Sequence, residues 1–220
     1  MTDLAERANP RIVRSLAQHA YDRLLEQILS GTLRGGEVIN ERRLADQLDV
    51  SRTPLRDALK RLEGEGLLFR SADRVLTIRL VTVGDYMDNL QVRRLLEPEA
   101  ARFAAGRIPA ERIALLRERL LECLASEDSS DADWKLGSQL HEMILDCAGN
   151  PVLGAIVRTL RRQGPPYDGR KVTRHIHADC REHLAILEAI ASGEGEAARQ
   201  AMIDHLDRLK SHILAALAGA

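Results

Sequence analysis

Residues 40–66, NERRLADQLDVSRTPLRDALKRLEGEG, decide the architecture of the first part of this 220-residue chain. Asn40 is a good N-cap, and Leu44, Ala45 and Leu48 recur behind it at the spacing of an inward helix face. Asp49 and Val50 make a tight break after two turns. Ser51 then caps a further helix, which tolerates Pro54 because first-turn amides have no intrahelical partner. Leu55, Leu59 and Leu62 mark its buried stripe. Two short helices joined by a tight turn, each with one apolar face, predict a helix-turn-helix.

The flanks extend this reading. Upstream, Leu16 to Ser30 forms an amphipathic helix through Leu24, Leu25, Ile28 and Leu29, stopped by Gly31. The glycine-rich turn GTLRGGEVIN (31–40) carries a short apolar pair, Val38 and Ile39. Downstream, LLF (67–69) and VLTIRL (75–80) are strand-like runs around a polar tip, Arg70 to Arg74. Leu76, Ile78 and Leu80 alternate with Thr77 and Arg79, which predicts a half-buried hairpin strand with these three inward. The plan is a winged helix-turn-helix over residues 1–80. After Val83-Gly84-Asp85 the pattern is helical throughout, with helices near 85–106, 109–127, 131–148, 151–163, 173–192 and 195–218. The expected fold class is therefore mainly α, a winged helix-turn-helix followed by an all-α bundle domain over 85–220.

Composition narrows the classes. With 45% hydrophobic and 30% charged residues and a formal net charge of -1, the chain has the make-up of an ordinary globular protein, not of a basic nucleic-acid-coating one. No apolar run approaches the length of a bilayer span, and residues 1–10 lack the apolar stretch of a secretory leader, so a cytoplasmic protein without membrane contact is expected. Cys123, Cys147 and Cys180 are odd in number, widely spaced and free of any CxxC, and are expected as reduced thiols.

A helix enters the major groove only with donors on its outward face. Arg52, Arg56 and Lys60 follow at i, i+4 and i+8 on the helix after the turn. Thr53 stands beside them, near backbone amides that favour a phosphate. Arg42 and Arg43 can hold flanking backbone, and Arg70 and Arg74 flank the wing tip. A basic stripe is more often a solvated helix face, but a stripe on the second helix of this motif, followed by a hairpin, reads as a DNA contact.

The segment from Tyr21 to Gly66 resembles the DNA-binding domain of the GntR family of bacterial regulators. It carries Gly31-x-Leu33, Gly36-Glu37, Asn40-Glu41-Arg42-x-Leu44-Ala45 and Val50-Ser51-Arg52-Thr53-Pro54-Leu55-Arg56-x-Ala58-Leu59. The resemblance implies contact with a double-stranded operator through Arg42, Ser51, Arg52, Thr53 and Arg56. Two departures stand out. Asp49 occupies the usual turn glycine, and the tip Ser71-Ala72-Asp73-Arg74 lacks a glycine and carries an acid.

The histidines of the second part sort by their neighbours. His19, His175 and His177 need no special role. His141 lies beside Ile144 and Leu145, His183 beside Ile186, Leu187 and Ile190, and His205 between Met202 and Leu209. A lone inward histidine is usually a core residue, but three ask for a joint explanation. His183 and His205 are equally far from the turn at Gly193-Glu194-Gly195, so on an antiparallel hairpin they lie level. Level imidazoles plus a third suit a divalent metal, although the sequence leaves open whether His141 reaches them.

Residues 85 to 216 resemble the helical C-terminal domain of the FadR-like branch, the FCD domain. The carrying text includes Arg93-x-Leu95-Leu96-Glu97-Pro98, Leu140-His141, Gly149-Asn150-Pro151, Glu182-His183 and Met202-x-x-His205-Leu206. The resemblance implies a metal, zinc or nickel, on one Asp and three His matching His141, His183 and His205, with a small carboxylate effector in the same pocket. Gly137 stands where the Asp belongs, and Asp133 is too far along the helix to replace it. Three histidines can hold a metal with water or effector completing the shell, or can line a metal-free pocket as hydrogen-bond donors. Arg93 either meets the effector carboxylate or forms an i,i+4 surface pair with Glu97. The expected function is a homodimeric regulator binding a pseudo-palindromic operator and responding to an effector. The alternatives are a regulator for which the ion is the signal, and a three-histidine metalloenzyme, for which no positioned base or nucleophile is visible.

Overall fold

The computed structural model describes residues 10–126, 131–163 and 176–218, with side chains over 15–126, 136–163 and 180–215. The chain divides into two compact units, Met1–Thr82 and Val83–Ala220.

In the first unit, α1 (Pro10–Leu29), α2 (Glu41–Leu48) and α3 (Arg52–Gly64) precede a hairpin of β1 (Leu68–Arg70) and β2 (Leu76–Ile78). Leu24 and Ile28 of α1, Leu44 and Leu48 of α2, and Leu55, Leu59 and Leu62 of α3 meet in one core, closed from below by Leu68, Leu76 and Ile78. Asn40 caps α2 by accepting from the Arg43 amide at 3.0 Å. Asp49 ends it at φ 52, the left-handed conformation that suits glycine and that aspartate tolerates. Ser51 sits at the N-cap of α3, but its hydroxyl makes no capping bond, so the sequence expectation holds for its position and not for its chemistry.

The hairpin pairs antiparallel with Phe69 opposite Thr77. The Gly36–Ile39 segment adds a third edge: Gly36 donates to the Ile78 carbonyl at 2.9 Å and Ile39 to that of Leu76 at 2.8 Å. The alternation predicted for β2 stops early. Leu76 and Ile78 are buried, but Leu80 is 69% exposed because the strand ends at Ile78.

The second unit is helical throughout: α4 (Val83–Ala104), α5 (Ala110–Ala125), α6 (Asp131–Cys147), α7 (Pro151–Gln163), α8 (Ile176–Ala191) and α9 (Gly195–Ala218). α4 buries Leu90, Arg93, Glu97, Ala100, Ala101 and Ala104, a single stripe at steps of three and four. It packs chiefly on α9 and α7, while α8 packs on α9, α5 and α6. The connection between α8 and α9 is tight, with Gly193 at φ 78, and the two helices run antiparallel. Bidentate pairs lace the outside: Arg94 to Asp207 at 2.6 and 2.9 Å, and Arg117 to Glu188 at 2.6 and 2.7 Å.

The expectation of three reduced thiols is overturned as well. Cys123 on α5 and Cys180 on α8 are joined in a disulfide across a sequence separation of 57, and only Cys147 is free. Spacing along the chain gives no hint of this, because the pairing follows from how α5 packs on α8. Among the described residues no helix is long and apolar enough to cross a membrane.

Candidate functional site

Arg42, Arg43, Ser51, Arg52, Thr53, Arg56, Lys60 and Arg74 are all exposed on the first unit. Their electrostatic settings differ. Arg56 is held by Glu41 at 2.8 Å and Arg43 by Glu37 at 2.9 Å, whereas among the described residues Arg42, Arg52 and Arg74 have no ion-pair partner. Arg70 is held within the unit. Its guanidinium lies bidentate on Glu63 of α3 at 3.0 Å for both bonds and donates to the Arg74 carbonyl at 3.3 Å, strapping wing to helix. The tip dispenses with glycine by placing Arg74 itself at φ 61, in a turn closed by the Arg74 amide on the Ser71 carbonyl at 2.9 Å.

In the second unit the fold brings His141 of α6, His183 of α8 and His205 of α9 together, all buried. Ring centroids lie 4.7 Å apart for His183 and His205, 5.5 Å for His141 and His205, and 5.6 Å for His141 and His183. One nitrogen from each falls within 4.8 Å of the other two. His175 lies outside the described residues, as do the side chains of His177 and Asp133.

Two carboxylates orient the cluster: Glu97, considered from sequence only as a partner of Arg93, and Glu182, given no role from sequence. Glu97 Oε2 lies 2.6 Å from Nδ1 of His141, and Glu182 Oε2 lies 2.8 Å from Nδ1 of His205. Each ring then has its Nε2 left for a ligand, the arrangement that supports metal-bound histidines. Burial, with the Arg161 charge beside it, pushes His141 down to about 3. Burial together with His205 and His141 holds His183 well below the usual imidazole range. Neutral imidazole is the form that ligates, and three buried nitrogens need only close in modestly around an ion with bonds of about 2.1 Å. The donor set therefore fits a divalent metal.

The fourth position of the resemblance is closed by sterics. Gly137 is buried on α6, and a Cβ there would run into Cε1 of His183 and come within 3.1 Å of both ring nitrogens. His183 occupies the room an aspartate would need.

Behind His141 lies a buried ionic group. Arg93 donates to Glu97 Oε1 at 2.5 Å, and Arg161 of α7 approaches Oε2 at 3.3 Å. The pair between Arg93 and Glu97 is interior, with side chains 6% and 2% exposed, not the surface i,i+4 bridge considered from sequence. Burial opposes ionisation of Glu97, but Arg93, Arg161 and His141 outweigh it and hold the carboxyl well below its ordinary value. Burial pushes Arg161 down to about 10, which leaves it charged at neutral pH. Two guanidinium groups thus share one buried carboxylate. Nothing in the sequence pattern singled out Arg161, whereas Glu182 could have been suspected from its place beside His183.

An exposed basic helix with a wing, followed by a helical bundle closed on histidines, is the build of a bacterial transcription regulator. Residues 16–74 match the family described as bacterial regulatory proteins, gntR family, and residues 88–208 match the FCD domain. The chain belongs to the GntR family, in its FCD-bearing FadR-like branch, and is a DNA-binding transcription regulator. It is similar to the Nta operon transcriptional regulator of Aminobacter aminovorans, 31% identical over 85% of this chain and 89% of that one. It also resembles the Exu regulon transcriptional regulator of Escherichia coli K12, 29% identical over 90% and 84%. Among solved structures, E. coli McbR/YncC shares the fold with a TM-score of 0.79 at 20% identity, covering 93% of this chain and 98% of that one. A GntR regulator from Rhodococcus sp. RHA1 shares it with a TM-score of 0.69 at 22% identity, covering 91% and 98%.

Proposed function

We propose that the protein binds a two-fold operator as a homodimer, and that His141, His183 and His205 hold a divalent metal beside which a small anionic effector controls DNA affinity. The observation that carries this reading is the convergence of three buried histidines, two of them with a carboxylate at Nδ1. The metal supplies a cationic centre that an effector oxygen can ligate. Glu97 and Glu182 fix two of the rings, and Gly137 contributes no ligand, so three histidine nitrogens would be the protein's share in holding an ion.

Charge argues for an anion. Arg93 and Arg161 share Glu97, so this group behind His141 carries one positive charge in excess, and a divalent ion would add to it. Arg93 is tied by a short bond, whereas Arg161 is 18% exposed and makes one long bond to Glu97 among the described residues. Arg161 is therefore the better placed of the two to receive a carboxylate. An effector shifts DNA affinity only as far as it binds the DNA-competent and incompetent states differently.

The test is elemental analysis of tag-free protein beside His183→Ala, followed by zinc and citrate titrations read by binding to an operator selected from random duplexes. Near-stoichiometric metal lost in the variant, with operator affinity responding to citrate in wild type and not in Arg161→Met, is the expected result. No metal after incubation with zinc or nickel rejects the metal reading. A full response to zinc alone makes the ion itself the signal.

A further inference from the structure

Cys123 and Cys180 are unused by the reading above, yet they are among the most buried side chains of the bundle, 5% and 1% exposed. Their bond ties α5 to α8. The two helices are joined again at the other end of their antiparallel contact, where Arg117 meets Glu188. That second tie is ionic and solvent-exposed, and such pairs add about 0–1 kcal/mol. The covalent tie is therefore the stronger anchor. It sits on the fifth residue of α8, two residues before Glu182 and one turn before His183. Those two residues respectively orient and form part of the histidine cluster.

We propose that Cys123 and Cys180 are a reversible thiol–disulfide couple whose state sets how firmly α8 presents His183, and hence the affinity of the histidine cluster for its ligand. The coupling rests on the metal reading for its ligand but not for its mechanism, which is the anchoring of α8. Oxidation removes two electrons and two protons from the two thiols and forms the S–S bond. A hydroperoxide accepts both electrons, its O–O bond breaks, and water and an alcohol, or two waters from hydrogen peroxide, leave. A thiol reductant reverses the step, becoming a disulfide itself. With the sulfurs buried, both directions require α5 and α8 to part locally, so exchange is slow compared with that of a surface disulfide.

The test starts from purified full-length protein, denatured without reductant and alkylated. Oxidised protein takes up label at Cys147 alone, and reduced protein at all three cysteines. Zinc affinity and amide exchange over residues 176–191 are then measured for oxidised wild type, wild type reduced by a phosphine, and Cys123→Ser/Cys180→Ser. The expected result is zinc binding weakened by about fivefold or more in both reduced forms, with faster exchange in the first turns of α8. If the double variant fails to fold, reduced wild type carries the comparison. Labelling of all three cysteines even after stoichiometric peroxide overturns the proposal, as do equal zinc affinity and equal exchange in the two states. If neither state binds zinc, the metal reading fails, and the exchange comparison alone upholds or overturns the coupling.

Discussion

The ring of His183 lies across the bare backbone of Gly137, so closely that a methyl group on residue 137 could not be placed without moving the imidazole. The glycine is thus the complement of the histidine, and the two positions read as a pair. Gly137→Ala is expected to lower the stability of the second unit by about 1–3 kcal/mol through overpacking, despite a gain of about 1 kcal/mol in helix propensity. Gly137→Asp should be worse still, and its zinc-induced rise in melting temperature should be smaller than in wild type, because displacing His183 takes away a ligand. Thermal melts with and without zinc decide this; an unchanged zinc response in Gly137→Asp would separate residue 137 from the site.

Glu97 pairs with two guanidinium groups and holds His141. Glu97→Gln keeps the volume and removes the charge. Breaking a buried pair in this way costs about 3–5 kcal/mol, or roughly 10–17 °C for a unit of this size. Calorimetry should show the loss in the transition of the second unit and not of the first. Arg94→Gln, at an exposed pair with Asp207, serves as the near-neutral control.

Acid should loosen the second unit before ordinary carboxylates titrate. Free imidazole protonates near 6.5, while burial and Arg161 hold His141 to about 3 in the folded chain. The unfolded chain therefore takes up the proton first. The stability that the neutral histidine contributes is complete above pH 6.5 and declines as the pH falls below it. His183, also held low, acts in the same direction, and Glu97 adds its share below 4.5. The slope is roughly 1.4 kcal/mol per pH unit for each proton. Denaturant melts between about pH 7.5 and about pH 5 should show it, and His141→Gln should flatten it.

On the DNA side the ion pairs rank the arginines. Arg52 is exposed and has no ion-pair partner among the described residues, whereas Arg56 must first leave Glu41. Arg52→Ala should cost about 1–3 kcal/mol of operator affinity, and Arg56→Ala less, unless Glu41 is removed as well. Quantitative gel shifts on the selected operator read both; equal losses would mean that the bridge between Arg56 and Glu41 persists on DNA or never mattered.

Much of this was legible in the chain. Helix boundaries followed from punctuation: Asn40 opens α2, Asp49 closes it, and Gly149-Asn150-Pro151 separates α6 from α7. The level placement of His183 and His205 followed from their equal distance to the turn at Gly193, because helix rise is uniform. What stayed hidden depends on lateral packing. Glu97 gathers partners from α6 and α7 as well as from its own helix, Cys123 finds Cys180 on a helix far along the chain, and Arg161 has no pattern of its own. Leu80 was misjudged because alternation in sequence does not say where pairing with a neighbour ends. Gly137 was visible as a missing ligand; that His183 fills its space became visible only in three dimensions.

The position of Glu97 on α4 has a mechanical consequence. The helix starts at Val83, the first residue of the second unit, and continues past Glu97 to Ala104 with Pro98 inside it. Glu97 therefore sits about 21 Å along α4 from Val83, next to a proline that removes one of the helix's own hydrogen bonds. A load that changes at Glu97 falls where the helix bends most easily, and a tilt of a few degrees there becomes about an ångström of sideways travel at Val83.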